Sequence, residues 1–192
     1  MARTKIDRRI IKTKKAINNA LLQLLSVKSL DEISITELTN RADVNRKTFY
    51  LHYASINEVA EEINNRLTND FEVAIERALA NGNGFDPAAM FGYFNERITN
   101  DNDFFRAFCA ENTSGHFLRV LQPALLNRLL DVYTELYPAV PTADLADMLV
   151  FLIAGCFSLY FGWIHNPINT SVEALSAKAT KLCNAVLSQL GE

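Results

Sequence analysis

Between Ile56 and Ile75, the apolar residues Ile56, Val59, Ile63, Leu67, Phe71 and Ile75 follow one another at intervals of three or four. Residues so spaced share one side of a helix, whereas a strand would need a period of two. The pattern recurs at both ends of the chain. Ile10, Ile17, Leu21 and Leu24 mark it near the start, and Val172, Leu175, Ala179, Leu182, Val186 and Leu190 near the finish. Glycine and proline number only 7 and 5 among 192 residues, and most lie between the periodic stretches. These features predict an all-α protein with enough apolar content, 49%, to bury a core.

The spacing predicts helices over residues 5–26, 35–42, 46–53, 55–80, 87–99, 102–111, 115–136, 142–166 and 171–190. Three capping boxes mark helix starts: Ser34 with Glu37, Ser55 with Glu58, and Thr170 with Glu173. Asp43 falls where the turn before the third helix calls for a left-handed residue, and Asn45 caps that helix. The layout is a three-helix head, residues 1–54, joined by a long fourth helix to a larger helical body; the fourth helix and body together make up residues 55–192.

Charge supports the same division. Residues 1–53 hold 11 Lys or Arg against 5 Asp or Glu, a charge of +6; the rest hold 8 against 17, or -9. A basic head on an acidic body suits a polyanion approached by the head alone. Cys109, Cys156 and Cys183 are odd in number and far apart, so they read as reduced, mostly buried residues of a cytoplasmic protein. The basic N-terminus has no apolar segment after it of the kind a secretory signal needs. Met148–Ile164 carries no charge over 17 residues, at the lower edge of a membrane span, and we read it as a buried helix rather than a membrane segment.

The stretch "VNRKTFYLHY", Val44–Tyr53, concentrates cations and aromatics. On a helix, Phe49 and Tyr53 share a face and are expected to pin it to the head's core. Arg46, Lys47 and Tyr50 then face outward, flanked by Thr48 and His52. Cations and hydroxyls suit guanine edges and phosphate oxygens, and the first turns of such a helix enter a major groove. Thr36, at the start of the second helix, is placed for the flanking backbone.

The run "SITELTNRADVNRKTFYLHYASINEVAEEI" resembles the N-terminal signature of the TetR-type (TetR/AcrR) bacterial transcriptional regulators, over about residues 6–63. The resemblance implies a helix-turn-helix head that binds double-stranded DNA, with Thr36, Arg46, Lys47, Thr48, Tyr50 and His52 facing it. It also implies a divergent body that dimerises and binds an effector, either a small molecule or a protein. Asp43 stands where that family usually has Gly, Tyr53 where it often has Phe, and Asn57 where it usually has Lys. More loosely, "AGCFSLYFGWIHNP" resembles a subgroup with a Gly-rich penultimate helix ending in Trp. That likeness puts the last two helices of each subunit in a four-helix dimer interface, with Gly155, Ser158, Gly162, Leu175, Leu182 and Val186 as its candidate residues.

The middle of the chain is crowded with aromatics, and Phe94, Phe105, Phe108, His116 and Tyr160 are candidates for an apolar effector pocket with a few polar groups. No phosphate-cradling glycine loop, zinc-type cluster or paired nucleophile appears, so we expect no enzyme, metal or cofactor. The favoured expectation is an effector-controlled repressor binding a palindromic operator as a homodimer. An activator controlled by a protein partner, and a membrane-associated interaction protein using residues 148–164, are the alternatives.

Overall fold

The structure, a computed structural model, describes residues 8–82, 84–109, 111–165 and 170–191, with the side chains of 111–117 outside that description. Among the described residues there are nine α-helices and no strand: α1 (Arg8–Leu25), α2 (Ile35–Arg41), α3 (Arg46–Tyr50), α4 (Ile56–Leu79), α5 (Pro87–Asn100), α6 (Asn102–Phe108), α7 (Glu111–Leu136), α8 (Thr142–His165) and α9 (Val172–Leu187). Short 3-10 turns come after α1, at Leu30–Glu32, and after α9, at Ser188–Gly191.

The helix starts are set by side-chain caps. Ser34 accepts from the Glu37 N–H and Asn45 from the Thr48 N–H, each satisfying a donor that the first turn cannot. Glu37 does not complete the expected box, because its carboxylate reaches Lys28 instead, at 2.6 Å. At α4, Ser55 accepts from the Glu58 N–H, while Glu58 reaches back to the Ala54 N–H. At α9 the cap is Ser171, one residue later than expected, accepting from the Ala174 N–H. Among the described residues, Asp43 is the one non-glycine with a left-handed backbone, at φ 52°. α3 is shorter than predicted: the chain leaves helical geometry after Tyr50 and continues as a turn to Tyr53.

The head is not a separate ball on the body. Ile17, Leu21, Leu38 and Phe49, all without solvent exposure, belong to one apolar cluster with Phe104, Phe105 and Phe108 of α6 and Ile164 of α8. A second cluster lies farther along, between α4, α7 and α8, and holds Ile75, Tyr133, Leu145 and Leu149. α5 packs along both α4 and α9, and α8 along α7 and α9, which makes the body a bundle.

Two polar junctions fasten α1 to later helices. Tyr53 is buried, and its hydroxyl donates to Glu62 of α4 at 2.9 Å, with the Asn18 side-chain oxygen of α1 as a longer alternative acceptor at 3.3 Å. Lys14 pairs with the same Glu62 and lies over the Tyr53 ring. Burial alone would raise the Glu62 carboxyl, but the bonds from Lys14, Tyr53 and Asn18 outweigh it and hold it below its usual range. Burial likewise raises the Tyr53 hydroxyl, and Glu62 beside it adds to that.

The second junction is Asp101, between α5 and α6. Its carboxylate takes Lys15 of α1 and Arg66 of α4, each at 2.8 Å. Arg66 also covers the Phe104 ring at 3.7 Å. Burial pushes the Asp101 carboxyl up, yet the two cations more than offset this and lower it overall. A lowered carboxyl in the folded state contributes stability above the unfolded aspartate value of about 3.9, and loses it as pH falls through the lower folded value. We therefore expect Asp101→Asn to destabilise the chain at pH 7 by about 1.5 kcal/mol, the scale of a hydrogen bond to a charged group. The gap from wild type should close as pH falls below about 4, as tracked by urea unfolding at several pH values. A gap that stays constant down to pH ~2 would take the charge out of this junction.

Candidate nucleic-acid interface

α3 has only five residues, so its position depends on what lies beneath it. Phe49 is fully buried and stands 5.8 Å, ring to ring, from buried Tyr53. Leu38 of α2 lies in the same cluster, with Val44 and Ile35 packed against it. This fixes the rotation of α3, and the residues on its other side point outward. Arg46 and Lys47 are exposed, and among the described residues neither forms an ion pair. Tyr50 is 51% exposed with its ring edge-on to Phe49 at 5.5 Å.

The other expected residues divide by position. Thr48 is half-buried in the first turn, with its N–H committed to the Asn45 cap. Thr36 is exposed on the first turn of α2. His52 is half-buried just beyond α3, its N–H bonded to the Phe49 carbonyl. Asn57 is exposed in the first turn of α4, beside the head. The head's charge is selective: Lys14, Lys15 and Lys28 are held by Glu62, Asp101 and Glu37, whereas Arg46 and Lys47 are left outward.

The body contains a cavity of about 130 Å³. Phe94, Phe105, Phe108 and Tyr160 line it, as do Phe91, Phe157, Cys109, Cys156 and Cys183. His116, the remaining pocket candidate, lies among the residues whose side chains are not described. The wall is almost wholly apolar, and Tyr160 stacks on Phe91 while its hydroxyl donates to Asn95 at 3.2 Å. Asn95 passes the bond on to Ser176 of α9. At one end His165 donates to the Cys109 carbonyl, tying α8 to α6.

α8 is two-sided. Leu145, Leu149, Ile153 and Ile164 are buried, whereas Val150, Phe151, Leu159, Gly155, Ser158 and Gly162 are exposed. The expectation of a buried helix therefore holds for one face only. By length and composition α8 is also the one described helix able to cross a membrane, with few of its residues buried in the chain. A Cβ added at Gly155 or Gly162 would meet nothing within 4 Å. On α9, Leu182 is exposed and Val186 half-buried, but Leu175 must be withdrawn from the outward set. It points into the body because the inward stripe runs Val172, Leu175, Ala179, Cys183. Four residues on from Ala179 is 40° past a full turn and three is 60° short of it, so Cys183 sits deeper than Leu182.

No protein-family model matches the chain. Over 57 residues it is 37% identical to the uncharacterized HTH-type transcriptional regulator YxbF of Bacillus subtilis (strain 168), a match covering 29% of this chain and 15% of that one. Solved structures match over almost the full length. A TetR-like transcriptional regulator from Rhodococcus sp. RHA1 aligns with a TM-score of 0.61 at 17% identity, over 92% of this chain and 96% of its own. A TetR transcriptional regulator from Streptococcus agalactiae 2603V aligns at 0.55 and 22%, over the same shares. The chain has the TetR-type fold. The dihydroxyacetone kinase operon activator DhaS shares this fold at 0.54 and 18%, over 94% of this chain and 97% of that one. The proteins named here as carrying the TetR-type fold are thus described as regulators of transcription, one of them as an activator.

The sequence pattern places Phe49 and Tyr53 inward and Arg46, Lys47 and Tyr50 outward, as in the structure. It missed the Asp101 junction and the meeting of Cys156 with Cys183, whose sulphurs lie 3.7 Å apart. The aspartate at the junction of two helices was the available signal for the first; nothing in the spacing of the cysteines announced the second. If the outward face of α3 contacts DNA, Tyr50→Ala should weaken duplex binding tenfold or more while circular dichroism stays unchanged. Lys47→Ala should lower the slope of log K against log[salt] by about 1, through the loss of one phosphate contact. Fluorescence anisotropy on a labelled duplex reads both, and wild-type slopes in the Lys47 variant would remove it from the contact list.

Proposed function

We propose that this chain is a cytoplasmic, sequence-specific DNA-binding transcriptional regulator. Residues 1–54 serve as the DNA-binding head and 55–192 as the effector-binding and dimerisation body. The observation that carries the reading is the outward face of α3, where Arg46, Lys47 and Tyr50 stand over a fully buried Phe49. The TetR-type fold supports it, with the recognition helix entering the major groove by its first turns.

In this reading the chain is a homodimer, and the exposed side of α8 with Leu182 of α9 is the surface that pairs. Val150 at 50%, Phe151 at 67% and Leu182 at 57% exposure form an apolar strip that needs a cover, and the open glycines admit a close neighbour. A twofold dimer matches a palindromic operator. The cavity favours a small apolar effector over a protein partner, because a cavity near this size accepts a benzene-sized guest. Effector binding would loosen operator binding, making the protein a repressor. The activator alternative is supported by DhaS, which has this fold and is named an operon activator.

The test is selection of bound fragments from a random duplex library, run in parallel with the wild type and Gly155→Leu. The wild type should enrich an inverted repeat. Gly155→Leu, whose added Cβ meets nothing within 4 Å, should keep its helix content, sediment as a monomer and enrich single half-sites at best. Uniform recovery by folded wild-type protein would reject the regulator reading, and a dimeric Gly155→Leu would reject the proposed interface.

A further inference from the structure

The three cysteines are unequal. Cys156 of α8 and Cys183 of α9 come within 3.7 Å through their sulphurs, and both line the apolar cavity. Cys109 lines it too but has no thiol beside it; burial pushes its thiol up to about 12, which leaves it inert. We infer that Cys156 and Cys183 form a dithiol site in the cavity wall that is oxidised to a disulfide by small apolar organic hydroperoxides. This rests on the cavity's reading as a site for an apolar molecule, and it adds the chemical class of that molecule.

The shared contact and burial set the two thiols apart. Cys183 is 5% exposed and shares a hydrogen bond with Cys156, in which either thiol can donate. That bond holds the Cys183 thiol below its ordinary value and raises that of Cys156, whose burial acts in the same direction. Cys183 is therefore the more acidic of the two thiols, and the proposal gives it the attacking role, with Cys156 as the resolving partner. The cavity concentrates an apolar peroxide against this pair, while bulk water and polar peroxides gain nothing from a wall of this kind.

The reaction balances in two steps. The Cys183 thiolate attacks the terminal oxygen of R–O–OH, the O–O bond breaks, and the alkoxide leaves and takes up a proton as the alcohol. Cys183 is then a sulfenic acid. The Cys156 sulphur attacks it, the S–O bond breaks, and hydroxide leaves with the Cys156 proton as water. Two thiols and one hydroperoxide become one disulfide, one alcohol and one water. Closing the pair from 3.7 Å to the bonded distance of about 2.05 Å asks for side-chain rotation on two helices already packed together. The product would lock α8 to α9, the two helices that carry the exposed apolar strip.

The test treats the reduced full-length protein with tert-butyl hydroperoxide, and then applies thiol counting, intact mass and peptide mapping. The expected result is a fall from three titratable thiols to one, a loss of two hydrogens in mass, and a Cys156–Cys183 cross-linked peptide with Cys109 still alkylatable. Cys156→Ser should stop at a sulfenic acid on Cys183, trapped by dimedone, and Cys183→Ser should leave Cys156 unoxidised. Rates for tert-butyl hydroperoxide relative to hydrogen peroxide should exceed the same ratio for a free cysteine peptide at least tenfold. Unreacted thiols, Cys109 oxidised as fast as the pair, or a ratio equal to the peptide's would overturn the proposal. Toluene, which has no reactive group, separates the two readings. If it raises the melting temperature while the thiols stay unreacted, the cavity reading stands and the dithiol proposal falls. If the melting temperature does not rise and the thiols also stay unreacted towards the hydroperoxide, both fall.

Discussion

α1 has to satisfy two partners at once, and the rest of the molecule depends on its doing so. Its inner residues Ile17 and Leu21 hold the head together against Leu38 and Phe49, and the same apolar cluster contains the three phenylalanines of α6. α6 packs directly on α1 in that cluster, so a displacement of α6 disturbs its contact with α1. Asp101 reinforces that contact with a cation from each of α1 and α4. Two of the same α6 phenylalanines, Phe105 and Phe108, also face the cavity. Cavity, α6 and α1 are therefore contiguous, which supplies the physical route that the proposed effector control needs.

The uncharged run of α8 is the second organising constraint. A helix that is apolar all round must be covered all round. Among the described residues one side finds a cover, from α6, α7 and α9, and Phe151 and Val150 are left in solvent. A second copy of the chain is the reading we propose for the open side, and it places the open glycines where two helices approach. The membrane alternative has the same residues to explain. It leaves unexplained why the opposite side of α8 is packed into an apolar bundle that also anchors the head.

Much of this was legible in the sequence because it is local. Helix periods, Ser34, Ser55 and Asn45 caps, the left-handed Asp43 and the outward face of α3 all depend on residues within a few positions of each other. The aromatic pocket was legible in part, since Phe94, Phe105, Phe108 and Tyr160 do converge. What was not legible depended on which helices meet. Leu175 was assigned outward because a heptad seam does not say which neighbour covers it, and α5 turned out to lie along that face. Cys156 and Cys183, 27 residues apart, meet only because α8 and α9 are antiparallel neighbours. Asp101 looked like an ordinary helix-end residue until two cations from distant helices converged on it.

We propose that head and body act as one mechanical piece through α1 and α6. Amide hydrogen exchange tests it most directly, comparing the protein with and without saturating toluene as the cavity probe. Altered exchange is expected beyond α6, whose Phe105 and Phe108 line the cavity, in α1 and the first turns of α4, which lie outside its lining. Changes confined to α5, α7, α8 and α9, with α1 at its unliganded rates, would contradict it.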